Sequence, residues 1–116
     1  MDSPLQQKSF IFALQIIKLS RYIKETFSEF DISRQILKSG TSIGANIREA
    51  KNAQSPSDFI SKLSIALKEA DETQYWLDLI HGSEMMSSED YTTACNDLKE
   101  IIAMLVSSIK TTKTKI

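Results

Sequence analysis

The sequence is poor in the residues that make turns, disulfide bridges and metal sites. Its 116 residues include three glycines, two prolines, one cysteine and one histidine. So few glycines and prolines predict few turns, and therefore a small number of long elements. The single cysteine, Cys95, excludes an internal disulfide and a thiol-based metal site, and a reducing cytoplasm is the compartment that fits.

Long apolar runs are also missing. The apolar run that starts at Phe10 is interrupted by Gln15, Lys18 and Arg21, so it falls short of the roughly 20 apolar residues that a membrane span requires. The first three residues, Met-Asp-Ser, carry an acidic residue where a signal peptide has a basic one. We therefore expect a single cytoplasmic domain without membrane contact.

Charge is distributed unevenly, although the net charge is only −1. Residues 1–55 contain eight Lys or Arg and five Asp or Glu, whereas residues 56–109 contain three basic and ten acidic residues. Two interpretations stay open. The charges are solvated helix faces, with acidic residues near helix N-termini as the helix dipole favours, or they serve head-to-tail association of a basic face with an acidic face.

Apolar periodicity predicts four helices, at about residues 4–27, 31–53, 57–81 and 88–110. A flexible basic tail is expected at 111–116. The candidate N-caps of the four helices are Ser3, Asp31 or Ser33, Ser55 or Ser57, and Ser87. Loops of a few residues between long helices imply antiparallel neighbours. The expected fold is therefore all-α, an antiparallel up-down-up-down four-helix bundle.

The first helix has more apolar surface than one face of a small bundle needs. One seam has helical spacing and comprises Phe12, Ile16, Leu19, Ile23 and Phe27. A second seam runs beside it and comprises Phe10, Ala13, Leu14 and Ile17. The excess indicates a surface for self-association.

The second helix contains two glycines, Gly40 and Gly44, which each cost a helix about 1 kcal/mol relative to alanine. Periodicity nevertheless favours helix, because small or apolar residues form one continuous stripe: Ile32, Ile36, Gly40, Ile43, Ile47 and Ala50. Gly40 lies within this stripe, where a missing side chain lets a neighbouring element approach closely. We predict helix across Ser39–Gly44, with packing that outweighs the propensity cost.

The third helix has the most regular apolar pattern. Its seam follows heptad spacing and comprises Phe59, Leu63, Ala66, Ala70, Thr73, Leu77 and Ile80, with Trp76 beside it. The apolar face of the fourth helix comprises Tyr91, Ala94, Cys95, Leu98, Ile101, Ile102, Leu105 and Ile109. Both patterns predict faces that pack in the core of the bundle.

A polar stripe lies beside the apolar stripe of the second helix and comprises Ser39, Ser42, Asn46 and Glu49. A bundle could bring Asn46, Glu49 and Glu72 together, as a carboxylate site or as a hydrogen-bonded boundary that fixes helix register. Di-metal carboxylate bundles need a Glu-x-x-His from each of two helices, and this chain has only Asp78-x-x-His81. The hydrogen-bonded boundary is therefore the favoured interpretation, and no metal or cofactor is expected.

Catalytic patterns are also lacking. A lone cysteine such as Cys95 on an apolar helical face is typically a small core residue, and His81 is the only histidine available to activate a serine. Gly40-x-x-x-Gly44 follows no predicted strand and precedes no Gly-Lys-Ser/Thr, so it is not a phosphate-binding loop. We expect neither an enzyme nor a small-molecule substrate.

Basic residues offer an alternative function. They lie on the exposed side of the second helix and near the C-terminus: Arg34, Lys38, Arg48, Lys51, Lys110, Lys113 and Lys115. Clustered basic residues can neutralise phosphates even on a protein without a basic net charge. The isoelectric point near 5.8 lies well below that of typical nucleic-acid-binding domains.

Two stretches resemble a known family. They are Ser42-Ile43-x-Ala45-Asn46-Ile47-x-Glu49-Ala50 and the segment from Asp58 to Ile80, which contains Tyr75-Trp76-Leu77. Both are similar to bacterial four-helix bundle proteins first noticed as open reading frames within intervening sequences of large-subunit ribosomal RNA genes. The resemblance extends from about Phe10 to Ile109.

The resemblance implies an antiparallel four-helix bundle that assembles as a homopentamer, barrel-like with a central pore. A relative, the accessory variability determinant of diversity-generating retroelements, partners a reverse transcriptase and its RNA through a strongly basic surface. The third and fourth helices of this chain are acidic instead. The expectation is a non-enzymatic, self-assembling scaffold or interaction module, with an RNA- or nucleoprotein-binding accessory role as the alternative.

Overall fold

The computed structural model describes residues 3–116, which form four long helices joined by short loops. These are α1 (Pro4–Phe27), α2 (Asp31–Lys51), α3 (Pro56–Gly82) and α4 (Ser88–Lys113). Each helix packs on its neighbours in the chain, and α4 also contacts α1, which closes the bundle. The predicted all-α, up-down-up-down bundle is confirmed.

Side-chain caps begin three of the helices. Ser3, Ser55 and Ser87 have extended backbones and accept hydrogen bonds from the backbone N–H three residues later. The prediction of Asp31 or Ser33 as the cap of α2 is wrong. The Glu29 carboxylate accepts from the backbone N–H of Ile32 at 2.9 Å.

Two helix ends differ by more than one residue from the sequence-based bounds. The prediction extended the second helix to residue 53, whereas α2 ends at Lys51. The chain leaves the helix there because Ser55, four residues on, adopts the extended backbone that caps α3. At the other end of the chain, α4 continues to Lys113, and Thr112 donates its hydroxyl to the carbonyl of Ser108 one turn earlier.

The core follows the predicted seams. In α2 the side chains of Ile36, Ile43 and Ile47 are buried, and in α3 every seam residue from Leu63 to Ile80 is buried. In α1 the buried seam contains Phe12, Ile16 and Ile23. The helix predicted across Ser39–Gly44 is confirmed, so packing outweighs the poor helix propensity of both glycines.

Small residues let α1 and α2 approach closely. Gly40 is buried against Ile16, and an added Cβ would lie 2.7 Å from Ile16 Cγ2. Near one end of the pair, Ser20 and Ser33 form a buried reciprocal contact in which each hydroxyl donates to the other residue's carbonyl, at 3.0 and 2.9 Å. These hydrogen bonds satisfy hydroxyls that are removed from water.

The contact between α1 and α4 is the least extensive of the four. A groove of about 360 Å³ remains between them, lined by Phe12, Gln15, Leu19, Tyr22, Met86 and Ala94 among others. An ion pair between Lys8 and Glu100 crosses this boundary, and its hydrogen bond raises the pKa of the Lys8 ammonium. Because the contact between α1 and α4 is small, α1 is buried mainly by α2 and by the core side chains.

Candidate association surface

The second apolar seam of α1 lies on the surface. Phe10 is 56% exposed, Ile11 55% and Leu14 49%, and Ala13 and Ile17 beside them are half-buried. We call these five residues the α1 strip. Isolated exposed apolar residues are ordinary, but a contiguous strip over two turns of one helix is typical of an interaction site.

The α1 strip continues onto α2. A groove of about 350 Å³ lies between the two helices and is lined by Phe10, Ala13, Thr41, Gly44, Ala45 and Arg48 among others. Gly44 forms part of its lining, and a Cβ added there would be at ordinary contact distance from Ser9 on α1. Leu37, which is nearer the start of α2, is also exposed. The apolar surface thus spans the outer side of the α1–α2 pair.

Basic side chains border this apolar surface. Lys18 and Arg21 follow the strip on the exposed side of α1, and Lys38 and Arg48 are exposed on α2. The α3–α4 half carries most of the acidic residues. The structure therefore keeps the charge asymmetry of the sequence on different sides of the bundle.

The predicted polar seam does not form as a single contact. The amide of Asn46 donates to the carbonyl of Ser42 within α2, and Glu49 and Glu72 are both exposed. The helix boundary is crossed instead by Thr73, whose hydroxyl donates to that of Ser39 at 2.9 Å. This register leaves Asn46 and Glu72 about 9 Å apart along the bundle axis, at 1.5 Å per residue.

The other residues of the predicted seam have clear positions. Gly40, Ile43 and Ile47 are buried in the core face of α2, and Ser42 is half-buried with its hydroxyl donating to the carbonyl of Lys38. Trp76 is half-buried on α3 and makes an edge contact with Tyr75 at 5.1 Å between ring centroids. Its indole Nε1 is buried and has no hydrogen-bond acceptor among residues 3–116.

The candidate nucleic-acid contacts separate into two groups. A cavity of about 400 Å³ is lined by Ser3, Ile47, Lys51, Phe59 and Met104 among others, so the C-termini of α2 and α4 lie at one end of the bundle. Arg48, Lys51, Lys110, Lys113 and Lys115 are exposed at or near that end. Lys38 lies nearer the middle of α2. Arg34 lies near the start of that helix, where it pairs with Asp31 at 2.8 Å. Nucleic-acid contact stays a prediction for these residues.

A polar cluster between α3 and α4 was missed by the sequence analysis. The hydroxyl of Tyr91 donates to Asp78 Oδ1 at 2.6 Å, and Gln74 Nε2 donates to Asp78 Oδ1 at 2.9 Å and to Cys95 Sγ at 3.2 Å. The His81 ring stacks on Tyr91 with 4.1 Å between centroids. The sequence pairs Asp78 with His81 on one helix and leaves Cys95 apart, whereas the antiparallel pair of helices brings all three into one cluster.

Alkaline pH is expected to loosen this cluster. The hydrogen bond to Asp78 raises the pKa of the Tyr91 phenol, with Cys95 and burial acting in the same direction. The folded state therefore favours the neutral phenol, and its contribution to stability is complete below the unfolded pKa of about 10 and is lost as pH rises above it. Thermal melts at pH 8 and pH 11 should show a smaller alkaline loss for Tyr91→Phe than for wild type, and equal losses would contradict this role.

The described residues contain neither a metal-binding cluster nor a helix able to cross a membrane. Within residues 3–116, no three His, Cys, Asp or Glu side chains are grouped closely enough to hold a metal ion. No helix in the same range is both long and apolar enough to traverse a bilayer.

The fold and the exposed α1 strip define the class of protein. It is a small antiparallel helical bundle with an apolar face that its own helices leave exposed. The chain belongs to the 23S rRNA-intervening sequence protein family, whose model matches residues 1–107. This confirms the resemblance carried by the motifs of the second and third helices.

The chain is also similar to a solved structure, a protein with unknown function from the S23 ribosomal protein family of Bacteroides thetaiotaomicron VPI-5482. The two are 52% identical, the match covers 91% of this chain and 98% of the other, and the TM-score is 0.90. Among curated proteins, none matches. These similarities establish family and fold, and they indicate no enzymatic family.

Proposed function

We propose that this protein is a non-enzymatic cytoplasmic bundle that assembles with copies of itself and acts as a scaffold or interaction module. The observation that carries the proposal is the α1 strip. Burying Phe10, Ile11 and Leu14 against a second copy would remove apolar surface from water at about 25 cal/mol per Å². The family resemblance sets the expected number of subunits at five.

The remainder of the surface is consistent with this proposal. The α1 strip is separate from the core seam of the same helix, so a partner can cover it without any rearrangement of the bundle. Its basic border and the acidic α3–α4 half offer charge complementarity between two copies of one chain. The polar cluster around Tyr91 and Asp78 is internally hydrogen-bonded and serves to join α3 to α4.

A dilution series of the wild-type chain tests the proposal. Light scattering at micromolar concentration should give a mass several times the 13.1 kDa of one chain, and native mass spectrometry should resolve five subunits. A mass of one chain throughout the series would refute self-assembly. A stable oligomer of a different number would retain self-assembly and reject the pentamer.

A further inference from the structure

We propose that the α1 strip of one chain packs on the outer face of α3 in a second copy, in a head-to-tail contact. The α3 outer face is the exposed side of that helix and comprises Ile65, Lys68, Asp71, Glu72 and Tyr75. The inference rests on the proposed self-assembly and identifies which two surfaces of the chain meet.

The α3 outer face offers both kinds of contact that the α1 strip requires. Ile65 is 40% exposed and Tyr75 is 55% exposed, so apolar surface is available on the same helix face. Asp71 and Glu72 lie between them in sequence and are exposed. The two acidic side chains provide partners for the basic residues that follow the α1 strip.

The two surfaces can be used at the same time. Helix α1 contacts α2 and α4, and α3 contacts the same two helices, so α1 and α3 are diagonal in the bundle. Their outer faces therefore point in different directions, and one chain can donate its strip while accepting the strip of another. Contacts of this head-to-tail type close into rings when the rotation between copies allows it.

The α1 strip and the α3 outer face also lie at similar levels along the bundle axis. Ile16 lies against Gly40, and the adjacent Ser39 is hydrogen-bonded to Thr73, so residues 16 and 73 lie at nearly the same level. Helices α1 and α3 run in the same direction, and rotation about an axis parallel to the bundle preserves levels. At 1.5 Å per residue, Lys18 and Arg21 then lie about 4 to 11 Å from Asp71 and Glu72 along the axis, which brings the closer pairs within reach of long side chains.

A symmetrical contact of the strip with itself is disfavoured by charge. The first 55 residues carry eight basic and five acidic side chains, so apposing two α1–α2 halves places like charges together. Apposing the α1 strip with α3 replaces that repulsion by attraction.

Charge reversal on each surface tests the inference. Lys18→Glu/Arg21→Glu reverses the basic border of the α1 strip, and Asp71→Lys/Glu72→Lys reverses the α3 outer face. All four positions are exposed, so the bundle should fold in both variants, which circular dichroism verifies. Each variant should need at least tenfold more protein than wild type for half-assembly, because like charges then face each other.

The chain with all four reversals supplies the decisive result. Its α1 border is acidic and its α3 face is basic, so attraction is restored and assembly should return towards the wild-type midpoint. The matched control for Asp71→Lys/Glu72→Lys is Glu84→Lys/Glu89→Lys, which makes the same change in net charge at exposed positions elsewhere and should assemble like wild type.

The outcomes separate the inference from the proposed function. A monomeric wild type would overturn both. A wild type that assembles, together with an Asp71→Lys/Glu72→Lys variant that assembles equally well, would overturn the α3 contact and leave self-assembly standing. A folded fourfold variant that stays monomeric would also overturn the inference.

Discussion

Replacing Gly40 with leucine is expected to lower the free energy of unfolding by about 2–3 kcal/mol, with a fall in melting temperature of about 10 °C or more. An added Cβ alone would lie 2.7 Å from Ile16 Cγ2 and 2.9 Å from Ile16 Cγ1. Ile16 is fully buried between helices, so it cannot move aside without displacing other core side chains. The gain in helix propensity, about 1 kcal/mol, is smaller than this strain.

Gly44 provides the matched control for Gly40. It belongs to the same helix one turn later, but a Cβ there would lie 3.5 Å from Ser9 Oγ, which is ordinary contact. Gly44→Ala should therefore stabilise the fold by up to about 1 kcal/mol through helix propensity. All melts need equal protein concentration, since assembly makes stability depend on concentration.

A double mutant identifies the physical cause. Ile16→Ala removes both Ile16 atoms that lie closest to the new Cβ, so Gly40→Leu should cost less in that background than in wild type. An unchanged melting temperature for Gly40→Leu would mean that α2 does not pack on α1 as described.

The four helices could be predicted from the sequence because buried residues in this fold recur at regular helical spacing. The heptad seam of α3 and the stripe through Ile36, Gly40 and Ile43 are set by helical periodicity alone. The caps Ser3, Ser55 and Ser87 were equally local signals, readable from residues close in sequence.

Contacts between helices could not be predicted in the same way. Whether Glu72 lies opposite Asn46 or Gly40 depends on the axial register of α2 and α3, which periodicity does not determine. The Thr73–Ser39 pair sets that register, and the Ser20–Ser33 pair sets the register of α1 and α2, each through a particular hydroxyl geometry. The Tyr91–Asp78 contact had one usable signal, since both residues are close to a short loop between antiparallel helices.

Introducing a charge into the α1 strip is expected to abolish assembly. Leu14 is 49% exposed in the single chain, so Leu14→Glu should leave the monomer folded. In an assembled contact the new carboxylate would lose water among apolar side chains close to the acidic Asp71 and Glu72 of the second copy, at a cost of several kcal/mol. Each 1.4 kcal/mol shifts an association constant about tenfold, so the loss should exceed what micromolar protein can overcome.

Val106→Glu provides the matched control for this variant. Val106 is 46% exposed, so it has nearly the same accessibility as Leu14, but it lies on α4 and away from both proposed contact surfaces. The substitution adds the same charge and should leave assembly unchanged. A loss of assembly in this variant would move the interface to α4.

The most direct measurement of the central claim is the light-scattering mass of wild type, Leu14→Glu and Val106→Glu at one micromolar concentration. Wild type and Val106→Glu should have the same mass, several times 13.1 kDa, and Leu14→Glu should have the mass of a single folded chain. A single-chain mass for wild type, or an assembled Leu14→Glu with the wild-type mass, would contradict the role of the α1 strip.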